Sequence, residues 1–427
     1  MLITLRRVRL SAPFLGVLCA AGLLLTGCDK KPAPAPGASP TPAAQPSATA
    51  APAASVAPTV APTPTPLPTP SPTPEDPLAT PIGFFAPLSG PQASFGSDSI
   101  NGARLAVEEI NAAGGILGHP LKLVVKDTQS LPDETATVVN ELIDKDKVVA
   151  LIGEIATDRS LVAAPIAQAR GVPMITPAST HQLVTAAGNF VFRACYTDSF
   201  QAEVMAKFAR SIDVEKAAVL FDPTNPYGIG LAEIFKRDFQ AHHGTIVAEQ
   251  TYRAGDTDFT SQLTLIKGAN PEVIFLPSYF AEAALVIKQA RALGIDTPFI
   301  GTDGWDSPEF LRIGGTAVDN SYFSSHFSAE SQDPKVAGFV ATYGTKYNAP
   351  PPPLAALTYD SVYLIAEALK RAGQANPAAL RDALAATKDF VGVTGKIAFD
   401  QDRNPRKSAV VIRLQDGKFT YLETVQP

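Results

Sequence analysis

Hydroxyl groups that could bind an anion follow two short apolar runs of this sequence. Thr157 comes after Val148–Ile152, and the segment Ala178-Ser179-Thr180 comes after Val172–Ile175. Both runs have the length and composition of a buried strand. Hydroxyls and unpaired backbone N–H groups at a strand end are donors that suit a carboxylate. A plain strand-to-helix turn, in which Ser179 or Thr180 caps the helix, is the simpler alternative for the second segment.

Groups that could bind a cation follow later apolar runs. Tyr227, Tyr279 and Asp303 each come shortly after an apolar stretch of strand length. Each has an ordinary alternative, because either tyrosine could simply pack in a turn and Asp303 could be a turn residue. In open α/β sheets, ligands bind beyond the carboxyl ends of the strands. Two facing lobes would therefore present both sets of groups across one cleft, and together they predict a site for a zwitterion.

The elements that must position these groups alternate between strand and helix from Ile82 onward, which is typical of the α/β fold class. After Asp198 the pattern starts again, so two similar α/β lobes of about 120 residues each are predicted. The chain ends in further helices and a β-hairpin through Asp416-Gly417. The predicted strands are Ile82–Phe85, Leu121–Val125, Val148–Ile152, Val172–Ile175, Phe190–Arg193, Lys216–Phe221, Ile246–Tyr252, Val273–Leu276, Pro298–Ile300, Ser408–Leu414 and Phe419–Leu422. The predicted helices are Ile100–Asn111, Thr135–Asp144, Leu161–Ala169, Phe200–Arg210, Gly230–His242, Phe259–Lys267, Glu282–Leu293, Lys335–Tyr347, Ala356–Ala372 and Pro377–Ala385.

Residues 1–27 are predicted to be an export signal. Three arginines precede an apolar run, Ala12–Leu25, that is short for a membrane span. The run ends in Leu25-Thr26-Gly27-Cys28, which resembles the lipobox of bacterial lipoproteins. That resemblance implies cleavage before Cys28 and attachment of lipid to it. Residues 28–78 are dominated by Pro, Ala, Thr and Ser, a composition that predicts a disordered tether.

Charge and motif content argue against several functions. The chain has 41 acidic and 35 basic residues, a net charge of −6, and no basic cluster, which argues against nucleic acid as a partner. The sequence lacks the spacings of phosphate-binding loops, hydrolase nucleophiles and zinc sites, so we expect no catalytic residue, no cofactor and no metal ion. Cys195 is the only cysteine after Cys28, which predicts a core residue and no disulfide within the mature chain.

A series of short motifs runs through the rest of the chain. The motifs are Pro87-Leu88-Ser89-Gly90, Phe95-Gly96, Asn101-Gly102-Ala103, Glu109-Ile110-Asn111-Ala112-Ala113-Gly114-Gly115-Ile116, Ile175-Thr176-Pro177-Ala178-Ser179-Thr180, Tyr227-Gly228, Asp258-Phe259-Thr260 and Gly301-Thr302-Asp303-Gly304-Trp305. In order and spacing, the series resembles the periplasmic branched-chain amino acid binding proteins, which are type I solute-binding receptors of ABC importers. No single motif is diagnostic.

This resemblance implies a fold of two Rossmann-like α/β/α lobes that are joined by a three-segment hinge and close on an amino acid. It implies an N-terminal lobe made of residues 79–197 and 327–400. The C-terminal lobe would consist of residues 198–326 and 401–427. The ligand would then be bound in the cleft between the lobes.

The resemblance also implies roles for individual residues. Thr157, the backbone of Ala178, and Thr180 would bind the α-carboxylate of the ligand. Asp303 and Tyr227 would bind the α-ammonium group. Because a buried ammonium group without a counter-charge is costly, Asp303 is expected to matter most.

Four more residues complete the predicted site. Tyr279, Phe95 and Trp305 would line the pocket, with core packing as the ordinary alternative for Trp305, the only tryptophan. Ser179 would assist at the carboxylate or only cap the helix. Phe95 stands where leucine-binding relatives carry a tyrosine, so one hydroxyl is missing at the mouth of the site. Ala156 and the lack of a partner cysteine imply that the disulfide of those relatives is absent here.

The sequence therefore predicts a monomeric receptor in the periplasm that is anchored to a membrane through Cys28. It would bind a neutral or branched-chain amino acid and deliver it to an ABC permease in the inner membrane. The alternative is a sensing module for an amide, a short peptide or another small carboxylate, which would signal to a membrane partner. An enzyme on the same fold is disfavoured by the missing catalytic motifs.

Overall fold

The computed structural model describes residues 78–427, so the predicted export signal, Cys28 and nearly all of the tether lie outside the described residues. Within the described range, no helix is both long enough and apolar enough to cross a membrane. The strands are β1 (Thr80–Ala86), β2 (Leu121–Asp127), β3 (Ala150–Ile152), β4 (Met174–Thr176), β5 (Val191–Arg193), β6 (Lys216–Phe221), β7 (Thr245–Thr251), β8 (Val273–Phe275), β9 (Phe299–Gly301), β10 (Ser321–Ser325), β11 (Phe390–Gly392), β12 (Gly395–Ile397), β13 (Ala409–Gln415) and β14 (Lys418–Val425). The α-helices are α1 (Ala93–Ala112), α2 (Pro132–Asp144), α3 (Thr157–Arg170), α4 (Gln182–Ala186), α5 (Asp198–Ser211), α6 (Pro226–Ala241), α7 (Thr260–Gly268), α8 (Phe280–Ala292), α9 (Pro308–Gly314), α10 (Pro334–Tyr347), α11 (Pro353–Ala372) and α12 (Pro377–Ala385).

The first sheet contains five parallel strands in the order β2-β1-β3-β4-β5. Strands β3, β4 and β5 are each three residues long and wholly buried. Parallel strands need crossover connections, and the crossover helices cover both faces of the sheet, so its inner strands are short buried runs. The sequence predicted these five strands correctly to within two residues at each end.

The second sheet contains seven strands in the order β14-β13-β10-β9-β8-β6-β7. Strands β6 to β10 are parallel, whereas β13 runs antiparallel to β10 and forms a hairpin with β14. The hairpin turns at Asp416 and Gly417, which have φ values of 54° and 66°. Positive φ at both central residues is the requirement of the tight turn that fits the twist of two paired strands. The predicted hairpin is therefore confirmed.

The chain passes between the two sheets three times: after β5, after β10 and before β13. After the second passage, helix α11 packs against α1 beside the first sheet. The two helices approach so closely that a Cβ atom at Gly102 would overlap the carbonyl oxygen of Ala355. Close packing of the two backbones thus depends on the absence of a side chain at position 102.

The interior of the second sheet contains a strand that the sequence analysis missed. Strand β10 reads Ser-Tyr-Phe-Ser-Ser, and Ser321, Ser324 and Ser325 are fully buried. Its pattern has too few apolar residues to be recognised as a central strand. Hydrogen bonds compensate for burial of two of the hydroxyls, since Ser324 Oγ lies 3.0 Å from Oε1 of Gln201 and Ser325 Oγ lies 3.3 Å from the carbonyl oxygen of Phe327.

Cys195 lies two residues after β5, the last strand of the first sheet, and its thiol is free and fully buried. Burial raises the pKa of the Cys195 thiol to about 12. The thiol is therefore protonated at neutral pH and is a poor nucleophile. The interpretation of Cys195 as a core residue is confirmed.

Candidate functional site

A small cavity lies between the two sheets, at the ends of strands from both of them. Its volume is about 20 Å³, which is room for about one water molecule. The lobes must therefore separate for a larger ligand to enter. Seven of the nine ligand-binding residues predicted from the sequence line this cavity. The lining residues are Phe95, Ile155, Thr157, Ala178, Thr180, Tyr227, Tyr279, Asp303, Gly304 and Leu354.

One side of the cavity carries hydrogen-bond donors for an anion. Thr157 is the first residue of α3, and its buried Oγ1 has no hydrogen-bond partner in the protein. Its backbone N–H points across the cleft to the hydroxyl of Tyr279, at 3.4 Å. The N-terminus of a helix attracts negative charge, because its first N–H groups are unpaired and the helix dipole is positive there. An incoming carboxylate would give the Thr157 hydroxyl the partner that it lacks.

A buried ion pair holds the loop that presents Thr157. The carboxylate of Glu154 accepts hydrogen bonds from the N–H groups of Ile155 (2.6 Å) and Ala156 (2.8 Å) and from Nε of Arg159 (2.8 Å). Thr128 Oγ1 donates to the same carboxylate at 2.7 Å. Because the N–H groups of Ile155 and Ala156 are both paired within the loop, the loop has one defined shape.

The opposite side of the cavity carries the carboxylate of Asp303, at the start of a 3₁₀ turn formed by Asp303–Trp305. The Tyr227 hydroxyl donates to Oδ1 of Asp303 at 2.6 Å. The same hydroxyl oxygen accepts from the N–H of Gly304 at 2.9 Å and lies 2.7 Å from Oγ1 of Thr302. Burial, and then the charge of Asp303, raise the pKa of Tyr227 well above its ordinary value. The phenol is therefore a neutral donor.

His326 is the second neighbour of this carboxylate and was not predicted from the sequence. Its Nε2 lies 2.9 Å from Oδ2 of Asp303, and its ring stacks on Tyr196 at 3.8 Å between centroids. Burial lowers the pKa of His326, and the hydrogen bond to Asp303 opposes only part of that shift. The neutral ring must carry its proton on Nε2, because a carboxylate only accepts. Both neighbours of Asp303 are thus neutral, and its negative charge is left for a cationic ligand.

Apolar and aromatic side chains form the rest of the wall. The rings of Tyr227 and Tyr279 stack at 5.0 Å with an angle of 4° between them. Phe95 meets the edge of Tyr279 at 6.1 Å, and Ile155 and Leu354 are buried beside the cavity. These groups offer a ligand side chain an apolar environment with no charge of its own.

Two of the nine predicted residues do not line the cavity. Ser179 lies beneath it, where its Oγ is 2.6 Å from Oγ of Ser160 and 3.0 Å from the carbonyl oxygen of Ile155. Trp305 is fully buried and donates from Nε1 to the carbonyl oxygen of Leu276 at 3.2 Å. Both side chains support the walls, since their polar atoms are already paired within one lobe.

Four residues at the site were missed from the sequence: Ile155, Gly304, Leu354 and His326. His326 directly follows β10, so the rule that ligand groups follow strands would have identified it had β10 been predicted. Leu354 comes from the start of α11 and carries no local signal. Within residues 78–427, no group of three or more His, Cys, Asp or Glu side chains is arranged to hold a metal ion.

Comparison with known proteins gives consistent matches over nearly all of the described residues. Residues 79–418 match the family model described as periplasmic binding protein. A Leu/Ile/Val-binding protein homolog of Brucella melitensis is 31% identical over 346 residues, which are 80% of this chain and 93% of that protein.

Two solved structures are similar to this chain over its described part. The leucine binding protein LivK of Thermotoga maritima is 35% identical, with a TM-score of 0.79, and the match covers 82% of this chain and 99% of that one. The branched-chain amino acid substrate binding protein LivJ of Streptococcus pneumoniae, in complex with isoleucine, is 38% identical, with a TM-score of 0.78 and coverage of 82% and 100%.

Proposed function

This chain belongs to the periplasmic binding protein family and is a solute-binding receptor, not an enzyme, and we propose that it captures a neutral amino acid of the branched-chain type for an ABC importer. The ligand would lie in the interlobe cavity. Its α-carboxylate would face Thr157, Ala178 and Thr180, and its α-ammonium group would face Asp303 and Tyr227.

The observation that carries this proposal is the opposition, across one small cavity, of a hydroxyl without a partner and a carboxylate whose hydrogen-bond donors are both neutral. On one side, Thr157 offers a buried hydroxyl without a partner. On the other, Asp303 offers a carboxylate whose protein neighbours, Tyr227 and His326, are both neutral donors. Hydrogen bonds to charged groups are each worth ~1.5–3 kcal/mol net. A zwitterion would satisfy both sides at once, whereas a simple anion or cation would leave one unsatisfied.

The character of the remaining wall supports a neutral side chain. Phe95, Ile155 and Leu354 are apolar, and the only carboxylate among the lining residues is Asp303, which the α-ammonium group would occupy. The names of the relatives point the same way, since one is a Leu/Ile/Val-binding protein homolog and another was solved with isoleucine.

The cellular setting of the receptor is part of the proposal. Residues 1–27 would be removed as an export signal, lipid on Cys28 would anchor the protein to a membrane, and residues 28–78 would form the tether. The binding domain would act as a monomer in the periplasm. Family membership supports an extracytoplasmic location.

Ligand capture would use hinge closure of the two lobes. We place the N-terminal lobe at residues 79–197 and 327–400 and the C-terminal lobe at residues 198–326 and 401–427. The membership of β13 and β14 in the second sheet supports the assignment of the chain's end to the C-terminal lobe. Contacts between lobes, such as Ser94 Oγ to Ser307 Oγ at 2.9 Å, would stabilise the closed form together with the ligand.

Titration calorimetry of the purified protein with a panel of amino acids tests this function. We expect saturable binding of L-leucine, L-isoleucine or L-valine, and a loss of affinity of roughly 10- to 150-fold in Asp303→Asn, because one charge-assisted contact is removed. The exposed Asp296 on the same lobe is the matched control, and Asp296→Asn should bind as the wild type does. If no amino acid binds, the proposed function is wrong; if Asp303→Asn binds normally, the site assignment is wrong.

A further inference from the structure

Gln201 connects the two sides of the ligand cavity without lining it. It lies in the first turn of α5, just after the chain first crosses between the lobes, and it is fully buried. A buried glutamine must pair both ends of its carboxamide. The partners of those two ends are the carboxylate-binding side and the ammonium-binding side of the cavity.

The nitrogen end of the carboxamide serves the carboxylate-binding side. Nε2 of Gln201 donates to Oδ1 of Asp198 at 2.9 Å and to Oγ1 of Thr180 at 3.3 Å. The two amide hydrogens therefore account for both contacts. Because the Thr180 oxygen accepts from Gln201, the hydroxyl hydrogen of Thr180 stays available and can turn toward a ligand carboxylate.

The oxygen end serves the ammonium-binding side. Oε1 of Gln201 accepts from the backbone N–H of Asp303 at 3.3 Å and from Oγ of Ser324 at 3.0 Å. A backbone N–H can only donate, so the oxygen of the carboxamide must face Asp303 and the nitrogen must face Asp198. The orientation of the group is thus determined by its partners.

We propose that Gln201 is a positioning residue that sets the distance between the two sides of the site and so selects α-amino acids over β-amino acids. One rigid planar group touches both Thr180 and Asp303. In an α-amino acid, one carbon carries both the carboxylate and the ammonium group. An extra carbon between them moves the ammonium group away from Asp303 while the carboxylate stays at Thr180. This inference rests on the proposed binding of amino acids.

The test compares two isomers that differ only in the position of the ammonium group, L-leucine and β-leucine, on the full protein. Competition calorimetry gives both dissociation constants for the wild type, Gln201→Met and the control Gln262→Met. Gln262 lies on α7 and donates one hydrogen bond to the carbonyl oxygen of Thr251, outside the cavity lining. We expect Gln201→Met to weaken L-leucine binding about tenfold, the effect of one or two lost hydrogen bonds. The preference for L-leucine over β-leucine should fall by a similar factor, and Gln262→Met should change neither value.

A purely structural role would give a different result. In that case Gln201→Met would weaken both isomers equally, or would lower only the melting temperature, and the inference would be overturned. If Gln201→Met does not fold, Gln201→Glu keeps the shape and the oxygen facing Asp303 while removing the N–H donors, and it should show the same loss of preference. A wild type that binds no amino acid refutes the proposed function. If the wild type binds leucine and the Gln201 variants keep its preference for L-leucine over β-leucine, only the role of Gln201 is refuted.

Discussion

Replacing Thr157 by valine should make the ligand-free protein more stable and the receptor worse at binding. The Oγ1 of Thr157 is buried without a partner, and valine has almost the same shape without the hydroxyl. An unsatisfied buried hydroxyl costs ~1–3 kcal/mol. We expect a gain of about 1 kcal/mol in the free energy of unfolding, at the low end of that range because opening of the cleft hydrates the hydroxyl.

The same substitution should weaken L-leucine binding by roughly 10- to 150-fold, because the hydroxyl would otherwise donate to a carboxylate with a net contribution of ~1.5–3 kcal/mol. Urea denaturation of the ligand-free protein and calorimetry with L-leucine measure the two effects separately.

Thr135 provides the matched control for this prediction. Like Thr157, it is fully buried and lies in a helix that packs against the first sheet, in this case α2. Its Oγ1, however, donates to the carbonyl oxygen of Leu131 at 2.9 Å. Thr135→Val should therefore lower the free energy of unfolding by about 1 kcal/mol and leave leucine binding unchanged. A Thr157→Val protein that is less stable than the wild type, or that binds leucine equally well, would show that Thr157 does not hold an unpaired group for the ligand.

Two further predictions concern the packing and the charge around the cleft. Gly102→Ala should lower the free energy of unfolding, measured by urea denaturation, by about 3 kcal/mol, because its Cβ would overlap the backbone of Ala355. The control is Gly338→Ala on α10, where a Cβ meets nothing within 4 Å, and it should instead raise the free energy of unfolding by about 0.5–1 kcal/mol. Burial raises the pKa of Asp198 to about 7 from its ordinary value of 3.8, so the folded protein holds this proton over a range of pH in which the unfolded chain has lost it. The free energy of unfolding of the wild type, minus that of Asp198→Asn, should therefore fall between pH 4 and pH 7 and then level off. If urea denaturation shows a constant difference across this range, the burial argument is contradicted.

The strands and helices could be predicted largely from the sequence because their signals are local. The apolar runs before Thr157 and Ala178 marked β3 and β4, and Asp416-Gly417 marked the final hairpin. Helix starts were less accurate: α1 begins at Ala93 and not at Ile100, and α3 begins at Thr157 and not at Leu161. Helix α3 opens with the polar residues Thr157–Ser160, and α1 opens with Ala93–Ser99, where Phe95 is the only large apolar residue, so an apolar periodicity reveals neither start.

Strand β10 shows where local signals fail. Ser324 is tolerated in the interior because its hydroxyl pairs with Gln201, a residue far away in the chain. Nothing within five residues of β10 indicates that partner. Failure to predict β10 also hid His326, which follows the strand directly.

The sequence by itself determined the alternating α/β pattern and the set of polar residues that follow the strands, because both depend on the order of neighbouring residues. The tertiary structure alone decided which of those residues share a cavity: Ser179 and Trp305 are paired inside one lobe, whereas Leu354 arrives from a distant helix. It also decided that Asp303 has only neutral neighbours and that Gln201 joins the two sides of the site. Burial and hydrogen-bond pairing arise from contacts between residues far apart in the chain, and those contacts exist only once the lobes have folded and closed.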